Sequence, residues 1–469
     1  MRTLTGVEKW SYAIGNMPYA VKDAAFIHFV VFYYTQVQGL SGTLAGLAMF
    51  IALCWDAITD PIVGSWSDGV KTRWGRRHPL ILGGGLPMSV LFIALFAPPG
   101  GLGQMGTFVW LTGVAILLRT FLTINFIPFQ AMGAELSQDY DERTIIAKAR
   151  VAMGWLAGMA LPAFAFALIF TSDGEGDGRL VESNYVTYGY VSAFLAAITT
   201  LICVWGTRTM IGRLPKGDPD APRFSLSQTV NDFRMAARNR NFRFALGSSL
   251  AFGAATGVYS TLSLYLGTYF WEFSTEQLAG LVVPTAVGTL AAFAVLNRLG
   301  RRFEKATILW MAALGLAFNT LWFVGARLLD LLPANGHGVL YPLMLLATFL
   351  GTFMVVCVHA ISASLFADIL DEHEVDTGRR QEGVFFAANA FVLKATTGLG
   401  TLIAGIVIDL SGITPGSEPG TISQAVLNSL GALYVVLIAA MCAASFGFTR
   451  LIRLSREDHA RLQAQLAAG

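Results

Sequence analysis

Two aspartates four residues apart, Asp56 and Asp60, stand inside an apolar run of the chain. On a helix that spacing puts both carboxylates on one face, with their Cβ atoms about 6 Å apart. Carboxylates that close in a low dielectric repel, and the site relaxes by binding a cation, taking up a proton or pairing with a base. Small hard cations prefer oxygen ligands, and Thr59 and Thr123 add hydroxyl oxygens if the second and fourth apolar helices meet. Lys394 lies deep in another apolar run, where an ionisable residue costs at least about 2.5 kcal/mol and calls for an acid across the bundle. A second reading therefore stands beside the cation site: one aspartate pairs permanently with Lys394 and the other faces the adjoining loop. Asp23 follows Lys22, and because neighbours on a helix point about 100° apart, the two read either as a local pair or with Asp23 as a polar ligand. His359, Asn389 and Asn125 each place one polar side chain in an apolar run, as a substrate contact or an interhelical hydrogen bond. Tyr33, Tyr34, Phe385 and Phe386 read as helix packing or interfacial belt.

The elements that hold these residues are membrane helices. Of 469 residues, 54% are hydrophobic and only 13% charged, with a mean hydropathy of +0.58. A soluble surface needs about a quarter of its residues charged. Twelve windows of membrane-spanning length fall at about 13–37, 42–66, 79–98, 107–133, 147–171, 186–207, 244–270, 277–297, 306–326, 339–367, 383–410 and 422–449. The long unbroken runs exclude a β-barrel. With both termini cytoplasmic, 27 of the 32 basic residues fall in cytoplasmic segments and only Arg179 and Arg327 on the other side, the asymmetry that sets orientation. Lys22, Arg119 and Lys394 lie within the spans.

The expected fold is thus an all-α integral membrane protein of twelve transmembrane helices in two six-helix, pseudo-symmetric bundles. Its expected organisation is an N-terminal bundle (1–207), a proline-bearing cytoplasmic linker (208–243), a C-terminal bundle (244–450) and a cytoplasmic tail (451–469). The segments DGVKTRWGRR (68–77) and NRLGRRFEK (297–305) follow the second and eighth spans. They read as an internal echo or as two ordinary basic loops; six plus six helices favours a transporter built of repeats.

Other classes fall away. A formal net charge of +2 supplies no basic field for nucleic acid. Cys54, Cys203, Cys357 and Cys442 lie singly in apolar stretches, without disulfide or zinc spacing. The first twelve residues lack the form of a removable signal peptide. Walker-type phosphate loops, zinc-protease helices and serine elbows are absent from the sequence, so an enzyme or sensor is a remote reading. No cofactor is expected beyond a coupling cation. In the loops, Asp68 with Arg73, Arg76 and Arg77, and Asp368, Asp371 and Glu374 with Arg379 and Arg380, form candidate gate ion pairs or plain solvated charge.

WDAITDPIVG (55–64), RWGRRHP (73–79), Lys22-Asp23 with Tyr33-Tyr34-Thr35, IPF (127–129) and ADILDEHEVDTGRRQEG (367–383) leading to Lys394 carry a resemblance along the whole chain. It resembles the glycoside-pentoside-hexuronide:cation symporters of the major facilitator superfamily, the group of melibiose permease. The resemblance implies cation binding, of sodium, lithium or a proton, at Asp56, Thr59, Asp60 and Thr123, with the first and third as metal ligands if the ion is sodium. It implies substrate binding by Asp23, Lys394, Arg150, Asn389 and His359, with Phe126 and Gln130 at sugar-flanking positions. It implies uptake of a saccharide by alternating access, by a monomer in the plasma (inner) membrane. Phe126 replaces an acid before Ile-Pro-Phe, Leu122 and Gln130 replace flanking aromatics, and Thr59 replaces an asparagine. Lysophospholipid symporters of the same family also lack the helix-four acid, so an amphipathic lipid is the alternative cargo.

Overall fold

A computed structural model of the chain describes residues 4–137, 139–172, 176–215, 233–377 and 382–468. Side chains at 376, 377 and 382–391 and at Leu393 lie outside that description, as do those at Tyr140 and 466–468. Among the described residues the regular structure is entirely helical.

The first helix, α1 (residues 6–37), is a broken rod. Thr5 caps its start: its hydroxyl accepts from the Glu8 amide at 3.3 Å while the Glu8 carboxylate accepts from the Thr5 amide at 2.7 Å, a reciprocal capping box. The rod breaks at Gly15-Asn16, restarts with Pro18 in its first turn, and twice widens to π turns, at Ala25–Phe29 and Tyr33–Val37. Such turns often mark functional segments, and the first begins two residues after Asp23.

Next come α2 (Gly42–Gly69), α3 (His78–Phe96), α4 (Gln104–Glu135), α5 (Tyr140–Phe164, extended by Ala165–Ile169) and α6 (Glu182–Gly206). The second set is α7 (Arg240–Tyr265, extended by Leu266–Phe270), α8 (Val282–Arg302), α9 (Lys305–Thr320, extended through Leu328), α10 (Leu340–Thr377), α11 (Glu382–Ser411) and α12 (Gln424–Arg450). Among the described residues, nine helices are long and apolar enough to cross a membrane by length and composition. The others are the broken α1, together with α7 and α11, whose 26 and 30 residues reach about 39 Å or more at 1.5 Å per residue. Large apolar side chains such as Val90, Val109, Phe194, Leu290 and Phe318 are more than half exposed, which suits lipid and not water.

The chain separates into two compact units, 1–224 with 414–418, and 225–413 with 419–469. Each is knit by the same pattern. In the first unit α3 packs on α4 and α6, α2 on α4, and α1 on α5 and α6; in the second α9 packs on α10 and α12, α8 on α10, and α7 on α11 and α12. Helix n therefore corresponds to helix n+6, so the weak loop echo accompanies a repeat of packing. Small residues bring the backbones together. A Cβ on Gly84 would lie 2.4 Å from the Asn125 amide nitrogen on α4, and one on Gly400 would lie 2.3 Å from the Ala254 carbonyl on α7.

The residues expected as a tail form a further helix, α13 (Arg456–Ala468). Arg456 donates to the carbonyls of Gly300, Arg301 and Phe303 at the end of α8, the cation-to-C-terminus match that helix dipoles favour. Ser455 and Asp458 cap it reciprocally, and the hydrogen bonds from Ser455 hold the Asp458 carboxyl below its ordinary range. Of the expected linker, 216–232 lies outside the described residues; Arg208–Met210 is a helical turn and Arg240 already belongs to α7.

Candidate functional site

The sequence places Asp56 and Asp60 on one face of α2, and that helix packs along α4. The contact brings Thr123 between the two acids, with its hydroxyl oxygen 3.1 Å from Asp56 Oδ1 and 3.0 Å from Asp60 Oδ1. A hydroxyl has one proton, so it donates to one carboxylate at a time. Thr59, 8% exposed, turns its hydroxyl back to donate to the Asp56 carbonyl at 3.2 Å. Pro61 sits directly after Asp60 in the interior of α2, and Pro128 sits in the interior of α4. Each removes one backbone donor from its own helix, so both helices at the acid pair are locally weakened.

A residue not singled out from sequence completes the cluster. Arg119, 4% exposed, lies one turn before Thr123 on α4 and donates from Nη1 to Asp56 Oδ2 at 3.2 Å. Its guanidinium also stands 4.7 Å from the Phe26 ring centroid on α1. The available signal was a matched spacing: 119 and 123 on one helix, 56 and 60 on the other.

Lys22 and Asp23 resolve as a local pair, joined Nζ to Oδ1, with Lys22 4% exposed and the Asp23 side chain 39% exposed. The long lysine stem curls back over the 100° that separates the two positions. The ammonium stands 4.2 Å from the Tyr19 centroid, and Tyr19 stacks on Phe126 at 4.3 Å and 27°. Phe126, named from sequence as the replacement for an acid, thus builds a half-buried aromatic platform beside the Lys22–Asp23 pair. This first unit also holds Arg150, half-buried, whose carbonyl accepts from Asn16 at 3.0 Å, and Gln130, which is exposed.

Lys394 is half-buried on α11, and His359 is exposed on α10 with its ring edge-on to Phe252, centroids 6.2 Å apart. The side chain of Asn389 lies outside the described residues. Asn125 is a packing residue, buried and donating to the Ile81 carbonyl at 2.7 Å. Tyr33 and Tyr34 likewise donate to the carbonyls of Phe96 and Leu95.

At the loop end of the first unit, Arg77 donates to Asp68 at 2.8 Å, to Glu135 at 2.6 Å and to Ser67 at 2.9 Å, while Arg76 donates to Glu135 at 2.7 Å and lies 3.6 Å from Asp68. Glu135, at the end of α4, is the partner missed from sequence. In the second unit Asp368 pairs with Lys305 at 2.6 Å and with His459 of α13 at 3.4 Å. Asp371 accepts from Gln463 at 2.7 Å and lies 3.4 Å from His459. Arg379 and Arg380, the arginines expected opposite these acids, lie outside the described residues.

The comparisons agree with this architecture. Residues 11–456 match the family model described as MFS/sugar transport protein. The chain belongs to that family. Among curated relatives, an inner membrane symporter, YicJ, of Escherichia coli (strain K12) is 22% identical over 440 residues, covering 93% of this chain and 88% of that protein. The isoprimeverose transporter of Lactiplantibacillus pentosus is 21% identical over 432 residues, covering 91% and 84%. The crystal structure of the nucleoside transporter NupG aligns with a TM-score of 0.63 at 13% identity, over 96% of this chain and all of that one; that likeness shows the fold alone. As a member of the major facilitator superfamily, the chain is a multi-pass membrane transporter and the family is not one of enzymes.

Thr123→Val removes the bridging hydroxyl at constant volume. A hydrogen bond to a charged group is worth about 1.5–3 kcal/mol, so the ion concentration that half-saturates uptake is expected to rise about tenfold or more, at 1.4 kcal/mol per tenfold. Unchanged ion dependence in the variant would remove Thr123 from the site.

Proposed function

We propose that the chain is a secondary active symporter that couples a cation gradient to uptake of a saccharide or glycoside by alternating access. The observation that carries this reading is the acid pair of α2 bridged by Thr123 within membrane-spanning helices. A buried and a half-buried carboxylate held together change their charge balance when an ion or proton arrives, and binding of cation and cargo then favour each other by linkage. The cation is a co-transported coupling ion, and the reading calls for no cofactor.

The saccharide assignment is supported by the family, by the isoprimeverose transporter among the relatives and by the Tyr19–Phe126 stack beside Asp23. An apolar ring face next to a carboxylate suits a solute with C–H faces and hydroxyl edges. Asp23, Arg150, Lys394, Asn389 and His359 are proposed as its polar contacts, with Phe126 and Gln130 alongside. The Asp68–Arg76–Arg77 cluster and the Asp368–Asp371 cluster are proposed as cytoplasmic gate elements. The inner membrane, cytoplasmic termini and a functional monomer belong to the same reading.

The experiment is uptake of a labelled panel of mono- and disaccharide glycosides into proteoliposomes under separate sodium and proton gradients. Accumulation of a sugar supports the reading; no sugar accumulating, with folded protein, would transfer the assignment to lysophospholipids or another amphipathic solute. Tyr19→Ala removes half of the platform, and the sugar concentration for half-maximal uptake is expected to rise about two- to tenfold, given about 0.5–1.5 kcal/mol for an aromatic pair beyond its area. An unchanged value would show that the stack is packing only.

A further inference from the structure

Arg119 sits where an ion would have to sit against Asp56. Its guanidinium takes Asp56 Oδ2 while Thr123 takes Oδ1, so two polar groups of α4 address the two oxygens of one carboxylate. An arginine keeps its positive charge in proteins. Its Nε is buried with no hydrogen-bond partner among the described residues, and the Phe26 ring backs its guanidinium. The side chain is therefore held by its pair with Asp56 and its ring contact, with incomplete hydrogen bonding.

A hard metal cation needs several oxygens turned to one point. Here a fixed positive charge already stands at the carboxylate, and a second cation beside it meets like-charge repulsion in a low dielectric. Among the described residues of α1, α2 and α4, the other charged side chains within the predicted spans are Asp60 and the Lys22–Asp23 pair, whose members neutralise each other.

Resting on the symport reading above, we propose that Arg119 is a resident counter-ion of Asp56 that bars sodium and lithium from the acid pair, so that the carrier runs on protons. Arg119 is thus a specificity-determining residue for the coupling ion and acts through Asp56.

Equilibrium binding of radioactive sodium to the purified full-length protein tests this without any transported solute, so it is decided even if no saccharide is carried. The wild-type protein is expected to bind no saturable sodium. Arg119→Ala and Arg119→Gln are each expected to acquire saturable sodium binding, which is lost again when Asp56→Asn is added. Arg119→Lys keeps the charge and is expected to behave as wild type, a rescue that a purely structural role would not tie to ion identity. Saturable sodium binding by the wild type that Asp56→Asn abolishes overturns the proposal, as does a folded Arg119→Ala or Arg119→Gln protein that binds none. Should neither neutral variant fold, sodium binding by the wild type decides: no saturable binding supports the proposal, and saturable binding that Asp56→Asn abolishes overturns it.

Discussion

Asp60→Asn is expected to reduce sugar accumulation to the equilibrium ratio of about one while leaving carrier-mediated exchange of sugar down its own gradient. The substitution keeps the side-chain volume and the hydrogen-bond reach to Thr123, which stands 3.0 Å from Asp60 Oδ1, and removes only the charge that an ion or proton answers. A tenfold ion gradient is worth about 1.4 kcal/mol and, at one ion per sugar, supports about tenfold accumulation. The whole of that ratio should disappear in the variant. Asp56 does not substitute, because its carboxylate is held by Arg119 at 3.2 Å. Counting labelled sugar inside proteoliposomes, with and without the gradient, measures both quantities. Full concentrative uptake by Asp60→Asn would remove this residue from the coupling step.

Glu135→Gln is expected to cost about 3 kcal/mol or more of stability and to slow transport. Glu135 Oε1 accepts from Arg76 and Arg77 at 2.7 and 2.6 Å, and the Arg77 side chain is 3% exposed. Removing one charge from a buried ion cluster leaves the others uncompensated, which is costlier than never having built the pair. Asp68 cannot make up the loss, since its side chain is 48% exposed and it already serves both arginines. Thermal unfolding in detergent reads the first effect and initial uptake rates the second; a variant with wild-type melting and wild-type rates would reduce the cluster to solvated loop charge.

Much of this was legible in sequence because membrane physics is local along the chain. Twenty apolar residues in a row must be a helix in lipid, since no water remains to satisfy an open backbone, and the spacing of Asp56 and Asp60 alone fixes their common face. What escaped was pairing between helices. Arg119 meets Asp56 across 63 residues of chain, and no periodicity within either helix reports that. Glu135 escaped for the same reason, because an acid at the end of α4 looks like any loop charge until Arg77 arrives beside it. The polar α13 lacks the apolar run that betrays a span, and its docking depends on Arg456 reaching the carbonyls that end α8. Phe126 was visible only as a missing acid; its role in the stack depends on Tyr19 of α1, and the broken course of α1 sets where that ring falls.

The most direct measurement of cation-coupled sugar transport is ion movement evoked by sugar. Proteoliposomes holding a pH-sensitive dye, with no gradient imposed, receive a transported glycoside from outside. The account predicts that wild-type vesicles acidify inside as sugar enters, that the acidification needs no sodium, and that Asp60→Asn vesicles show none. Sugar entry by the wild-type protein with neither proton nor sodium accompanying it would contradict symport.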